Sequence, residues 1–84
     1  MKKRWMVNCI VHSTINGLKG SLIGIYHSED AAKTTVKLCI EAFHRAYEDC
    51  EDCNAEVDFD KMITWCTADG LISCSWFITP IETP

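Results

Sequence analysis

The chain has 84 residues, 48% hydrophobic and 24% charged, with a net charge of −4. That apolar content suits one folded core rather than a disordered chain, and the length leaves no room for a second core; Pro80 and Pro84 are expected to mark a frayed tail. No apolar run approaches the roughly 20 residues of a membrane helix, and the acidic balance opposes direct binding of nucleic acid, which needs a basic surface for phosphates.

Met1-Lys2-Lys3-Arg4 is basic like a secretory n-region. Asn8 and then His12, Ser13 and Thr14 interrupt the apolar run behind it, so the start reads as that of an unprocessed cytoplasmic chain. The first element is a hairpin over about residues 4–27. Two apolar runs flank Asn16-Gly17, the strongest short-range signal for a two-residue turn. That turn would oppose Ile15 with Leu18, Val11 with Leu22, Cys9 with Gly24 and Val7 with Tyr26. Trp5, Val7, Cys9, Val11, Leu22 and Tyr26 then share an inner face. The outer face carries Met6, Asn8, Ile10, His12, Ile23, Ile25 and His27, with Ile10 facing Ile23.

A long amphipathic helix follows, over about 28–50. Ala32, Val36, Cys39, Ile40, Phe43, Tyr47 and Cys50 recur at steps of three and four and make one apolar stripe. Ser28 is an N-cap, and Glu29 and Asp30 suit the positive pole of the helix. Lys37, Glu41 and Arg45 allow i,i+4 pairing on the opposite side.

The segment from 56 to 79 reads as a second hairpin turning at Asp69-Gly70. Its strict alternation puts Val57 and Phe59 inward and Glu56, Asp58 and Asp60 outward. The first strand is one long run, or two pieces kinked near Lys61. The two-residue turn opposes Thr67 with Ile72, Trp65 with Cys74 and Ile63 with Trp76 as the inner face. Met62 and Phe77 fall outside. The fold class is α+β, in the order ββαββ: a four-stranded sheet from two hairpins with the helix on one face. Strand orders 2-1-3-4, fully antiparallel, and 2-1-4-3, with a central parallel pair, both remain open.

Six cysteines in an unprocessed chain read as free thiols in a reducing compartment. Cys50-Glu51-Asp52-Cys53 has the CxxC spacing of zinc and redox sites. Zinc needs further ligands, for which Cys66 and His44 are the candidates. A redox pair wants the start of a helix, where the dipole lowers a thiol pKa, and this one follows a helix end. Glu56, Asp58 and Asp60 lack the glycine and closing glutamate of a calcium loop. His12, His27 and His44 form no catalytic constellation with a nucleophile. The expected chemistry is therefore non-enzymatic, with no cofactor.

Two features carry a functional reading. The outer-face residues Met6, Ile10, Ile23, Ile25, Met62 and Phe77 make an apolar patch of the kind found at protein interfaces. Glu48, Asp49, Glu51, Asp52, Glu56, Asp58 and Asp60 form a block with no lysine or arginine among them, which attracts a basic partner. Together they point to a protein-interaction module that forms a homodimer or docks a partner with a basic surface. A concrete version is a phage or mobile-element type of acidic inhibitor of a nucleic-acid-handling protein. The alternatives are a zinc-binding domain on Cys50 and Cys53, and a ligand-binding scaffold or enzyme with a pocket among Tyr26, Phe43 and Tyr47.

Overall fold

The computed structural model describes residues 2–60 and 63–83. It is an α+β fold of five strands and one helix: β1 (Lys2–Ser13), β2 (Gly17–Tyr26), α1 (Glu29–Ala46), β3 (Cys53–Asp58), β4 (Ile63–Ala68) and β5 (Ile72–Thr83). The strands form one sheet in the order β2-β1-β5-β4-β3, antiparallel throughout. The helix crosses one face on its way from one edge strand to the other.

The segment expected as one long or kinked strand is two strands. The chain reverses between Asp58 and Ile63, which pair with each other, and Asp58 Oδ1 accepts from the Asp60 N–H at 3.1 Å. This extra reversal settles the strand order. The last strand does lie beside the first, as in the 2-1-4-3 arrangement, but it arrives with opposite polarity. The expected parallel pair is therefore absent, and β1 and β5 run antiparallel along their whole lengths.

Both turns form where expected, yet neither sets the predicted register. Asp69 and Gly70 have φ of 52° and 68°, and the Leu71 N–H donates to the Ala68 carbonyl at 3.0 Å, which is a tight hairpin turn. Leu71 is then an extra residue, because Ala68 pairs with Ile72 and Cys66 with Cys74. One residue of slip turns a strand over. Thr64, Cys66 and Ala68 are therefore the buried residues of β4, and Trp65, expected inward, lies opposite Ser75 on the outer face.

At the first turn the loop has three residues, since Ser13 pairs with Gly17. Ser13 Oγ accepts from the Ile15 and Asn16 amides, and Gly17 takes φ 76°, the left-handed position that closes such loops. Val11 therefore pairs with Lys19 and Cys9 with Ser21, while Leu22 joins Asn8 on the outer face instead of the inner one. A bulge beyond Asn8 restores the predicted faces at the far end, with Val7 opposite Gly24 and Trp5 opposite Tyr26. Gly24 makes room there for the Tyr26 ring, whose Oη lies 2.7 Å from where a Cβ would stand, so a larger residue would have to displace that side chain.

The helix starts as expected: Ser28 Oγ accepts from the Ala31 N–H at 3.1 Å, with Glu29 and Asp30 in the first turn. It ends at Ala46 instead of Cys50, with Tyr47 as the C-cap. Glu48 and Asp49 would have stood at the negative pole of a longer helix, where acidic side chains are unfavourable. Ala32, Val36, Ile40 and Phe43 bury the apolar stripe against Val7, Cys9, Cys66, Ala68, Cys74 and Trp76. At roughly 1.5–3 kcal/mol for each large apolar side chain, this face is what holds the sheet and helix together.

β5 pairs with β4 only over Ile72–Ser75, although it pairs with β1 over all 12 residues. The Thr64 hydroxyl donates to the Trp76 carbonyl, so even-numbered residues of β5 turn their backbone groups towards that side. Beyond this point Ile78, Pro80 and Glu82 face an open half-edge among the described residues. Pro80 has no N–H to offer there, the placement a proline tolerates in a sheet.

Candidate functional site

The helix covers one face of the sheet, and no described element covers the other. Opposed residues share a face, so the uncovered side is built from Met6, Asn8, Ile10 and His12 of β1, Leu18, Leu22 and Ile25 of β2, Trp65 and Thr67 of β4, and Ser73, Ser75 and Phe77 of β5. Ile10, Leu18, Leu22, Ile25 and Phe77 are exposed, Phe77 to 45%. Of the predicted patch, Met6, Ile10, Ile25 and Phe77 lie together on this face. Ile23 sits at the bulge of β2, is 40% exposed, and does not oppose Ile10, whose partner is Gly20. Met62 lies outside the described residues. The sequence reading missed Leu22 and Trp65 because it gave both the wrong face.

Of the acidic block, Glu56 and Asp58 lie on this face of edge strand β3, whereas Asp60, expected outward, lines a groove on the helix side of the sheet. Glu48, Glu51 and Asp52 lie in the exposed segment between α1 and β3, Glu56 is exposed on edge strand β3, and Asp60 is at the turn that follows. Glu56 opposes Trp65, and Asp58 shares its strand face, so the outward direction predicted for both carboxylates agrees with the register. Asp52 is held in place: its N–H donates to Asp69 Oδ1 at 2.9 Å, and its Oδ1 accepts from Asn54 Nδ2 at 2.7 Å. Charged groups on an edge strand also discourage it from pairing with other chains.

All six cysteines are free. Cys9, Cys66 and Cys74 are buried beneath the helix, and Cys66 stands opposite Cys74 on one face, where opposite sides were expected. Burial, with the neighbouring Cys74 and Cys39 thiols, pushes Cys9 from 9.0 to about 11. Burial and the nearby Cys53 push Cys66 from 9.0 to about 11. Cys39 and Cys74 are raised by burial, and Cys50 chiefly by its hydrogen bond with Asp69. These environments favour the thiol over the thiolate, the opposite of what a nucleophile or metal ligand needs.

The alternative zinc set is partly brought together. His44 Nε2 lies 3.9 Å from Cys66 Sγ, while Cys50 and Cys53 line a shallow recess of about 150 Å³ with His44, Tyr47 and Glu48. Among the described residues, no three histidine, cysteine, aspartate or glutamate side chains converge closely enough to hold a metal ion. The pocket sought among Tyr26, Phe43 and Tyr47 is closed at one side by the Phe43 and Tyr47 rings, which pack 4.7 Å apart. A larger groove of about 680 Å³ lies at the other end of the helix, walled by Trp5, Phe59 and Trp76, which the sequence reading assigned to the core.

No described helix is long and apolar enough to cross a membrane. No protein-family model matches the chain, and no similarity to a curated protein or to a solved structure is found.

Proposed function

We propose that this chain is a non-enzymatic protein-interaction module that docks through its outer sheet face, first of all onto a second copy of itself. The observation that carries this reading is the uncovered apolar surface formed by Ile10, Leu22, Ile25 and Phe77, with Met6 and Trp65 beside it. Sheets bury such faces against one another at about 10 Å separation. The centre of this face carries no charged side chain, so stacking two copies strands no ion between them.

The acidic flank then serves a different partner. Glu56 and Asp58 project from one side of an extended strand at roughly 6.6 Å per two residues, a spacing comparable to successive phosphates of a nucleic-acid strand. With the exposed Glu48, Glu51 and Asp52 they present carboxylates to a basic surface, the arrangement of an inhibitor that occupies a nucleic-acid-binding site. Six free cysteines suit a reducing compartment such as the cytoplasm, where thiols remain reduced.

Sedimentation equilibrium of the reduced protein tests the first part. The expected result is a dimer that becomes monomeric with Ile10→Asp or Phe77→Asp while far-UV circular dichroism is retained. A monomer at concentrations of about 100 μM, where even a weak specific contact of about 5 kcal/mol registers, overturns self-association. For the acidic flank, reversing Glu51, Asp52, Glu56 and Asp58 to lysine must weaken a captured partner and flatten its salt dependence. Unchanged affinity and salt dependence overturn that part.

A further inference from the structure

We infer that the groove at the N-terminal end of the helix binds a small amphipathic organic anion, an aliphatic or aromatic carboxylate with a flat or linear apolar body. This site lies on the inner side of the sheet and meets the docking face only at Phe77, which also lines the groove; Ile10, Leu22 and Ile25 are not part of its lining. Its floor exists because β5, paired with β1 along its whole length, continues past the beginning of β4, which leaves that part of the inner face without a neighbour on the β4 side among the described residues. Trp5, Trp76 and Ile78 rise from that floor, Phe59 forms one wall, and the first turns of α1 form the other with Glu29 and Lys33. The volume of about 680 Å³ falls within the range that encloses a small ligand, roughly 300–1,000 Å³.

The sign of the ligand follows from the charges around the mouth. Lys33 Nζ and Lys37 Nζ lie 5.6 and 5.8 Å from the centre of the Phe59 ring, and Lys3 Nζ lies 5.6 Å from that of Trp5. Three of the eight basic residues of an acidic chain thus gather at one groove. A cationic ligand would find these two aromatic faces already taken by lysine ammonium groups. Glu29, paired with Lys33 at 3.3 Å, and Asp60 are the two acidic lining groups; against them stand Lys3 and Lys33 of the lining and Lys37, which reaches the groove over its Phe59 wall, three ammonium groups to two carboxylates. An anionic head therefore meets an excess of ammonium groups, while the apolar body displaces water from the two tryptophans and Ile78.

The test uses three probes with the same ten-carbon tail below their micelle concentrations: decanoate, decanol and decyltrimethylammonium. Trp65→Phe removes the indole of the outer face, so that fluorescence reports Trp5 and Trp76. Decanoate is expected to give a saturable one-to-one change, with the neutral and cationic probes about tenfold or more weaker. Lys3→Gln with Lys33→Gln should cost decanoate about tenfold, roughly 1.4 kcal/mol, and leave decanol unchanged. Ile10→Asp on the docking face should leave binding intact. Equal affinity for all three probes, tighter binding of the cation, loss of binding in Ile10→Asp, or no saturable change overturns the assignment. The oligomeric state of the two-lysine variant is expected to match that of the parent, so failure of this site and failure of the docking face are separately visible.

Discussion

The two faces of this sheet are made from alternate residues of the same strands, and they have opposite fates. On β5, Cys74 and Trp76 are buried while Phe77 between Trp76 and Ile78 is exposed; on β1, Val7 and Cys9 are buried while Ile10 is exposed. Hydrophobicity does not separate the faces, because Ile10, Leu22, Ile25 and Phe77 are as apolar as much of what is inside. The helix separates them. Its stripe of Ala32, Val36, Ile40 and Phe43 can cover one side only. An apolar residue in a strand of a one-layer sheet is thus either core or contact surface, and the covering element decides which.

Four experiments set the faces against each other, from the largest effect to the smallest. Phe43→Ala removes a buried ring from the covered face and should cost about 3–5 kcal/mol in urea unfolding, a large part of the 5–15 kcal/mol typical of a whole domain. A loss below about 1 kcal/mol would mean that the helix stripe is not what seals this face.

Alkaline pH attacks the same face through its thiols. Cys9 and Cys66 ionise near about 11 when folded against an ordinary 9.0. Between these values the unfolded chain has lost protons that the folded chain retains, so stability is full below pH 9 and falls as pH rises through 11. A tenfold change in a thiol's ionisation is about 1.4 kcal/mol, and solvent screening at these sites keeps the combined loss to about 2–3 kcal/mol. Urea midpoints from pH 8 to 11 should show the decline, and Cys9→Ala with Cys66→Ala should flatten it relative to the parent. Parallel curves for parent and variant would remove the thiols as its cause.

Ser28→Ala deletes the acceptor for the Ala31 amide and should cost about 1 kcal/mol, measured by thermal unfolding. It tests how firmly the covering helix is anchored at its start. Phe77→Thr on the uncovered face should change monomer stability by about 0.5 kcal/mol or less while weakening self-association in sedimentation. A stability loss like that of Phe43→Ala would show that the outer face is part of the folding unit, and the contrast between the faces would disappear.

The sequence disclosed the helix, both turns and the inner direction of Trp76, because each depends on signals within a few residues. Ser28 with Glu29 and Asp30 marks a helix start whatever the tertiary context. Register was not legible in the same way. Leu71 and the residues beyond Asn8 are bulge positions, and a bulge depends on what lies beside the strand: the Leu71 carbonyl accepts from the Thr14 amide, a contact between distant turns. That one displaced residue moved Trp65 from core to surface. The split between β3 and β4 was hidden because Val57, Phe59, Ile63 and Trp65 keep one parity across the reversal. The docking face was readable in part, through Met6, Ile10, Ile25 and Phe77. The groove was not, because it depends on β1 and β5 outrunning β4, a difference in strand length that no local pattern announces.

The last of the described strands in chain order, β5, is also the middle strand of the sheet. At translation speeds of roughly 5–20 residues per second, β1 waits some seconds for β5 after it has left the ribosome. Until then the β1–β2 hairpin has no neighbour on its inner edge, and the helix has half a platform. Both central pairings of the sheet therefore wait on β5, and the β1–β5 ladder joins residues from opposite ends of the described chain, the kind of distant pairing that slows folding.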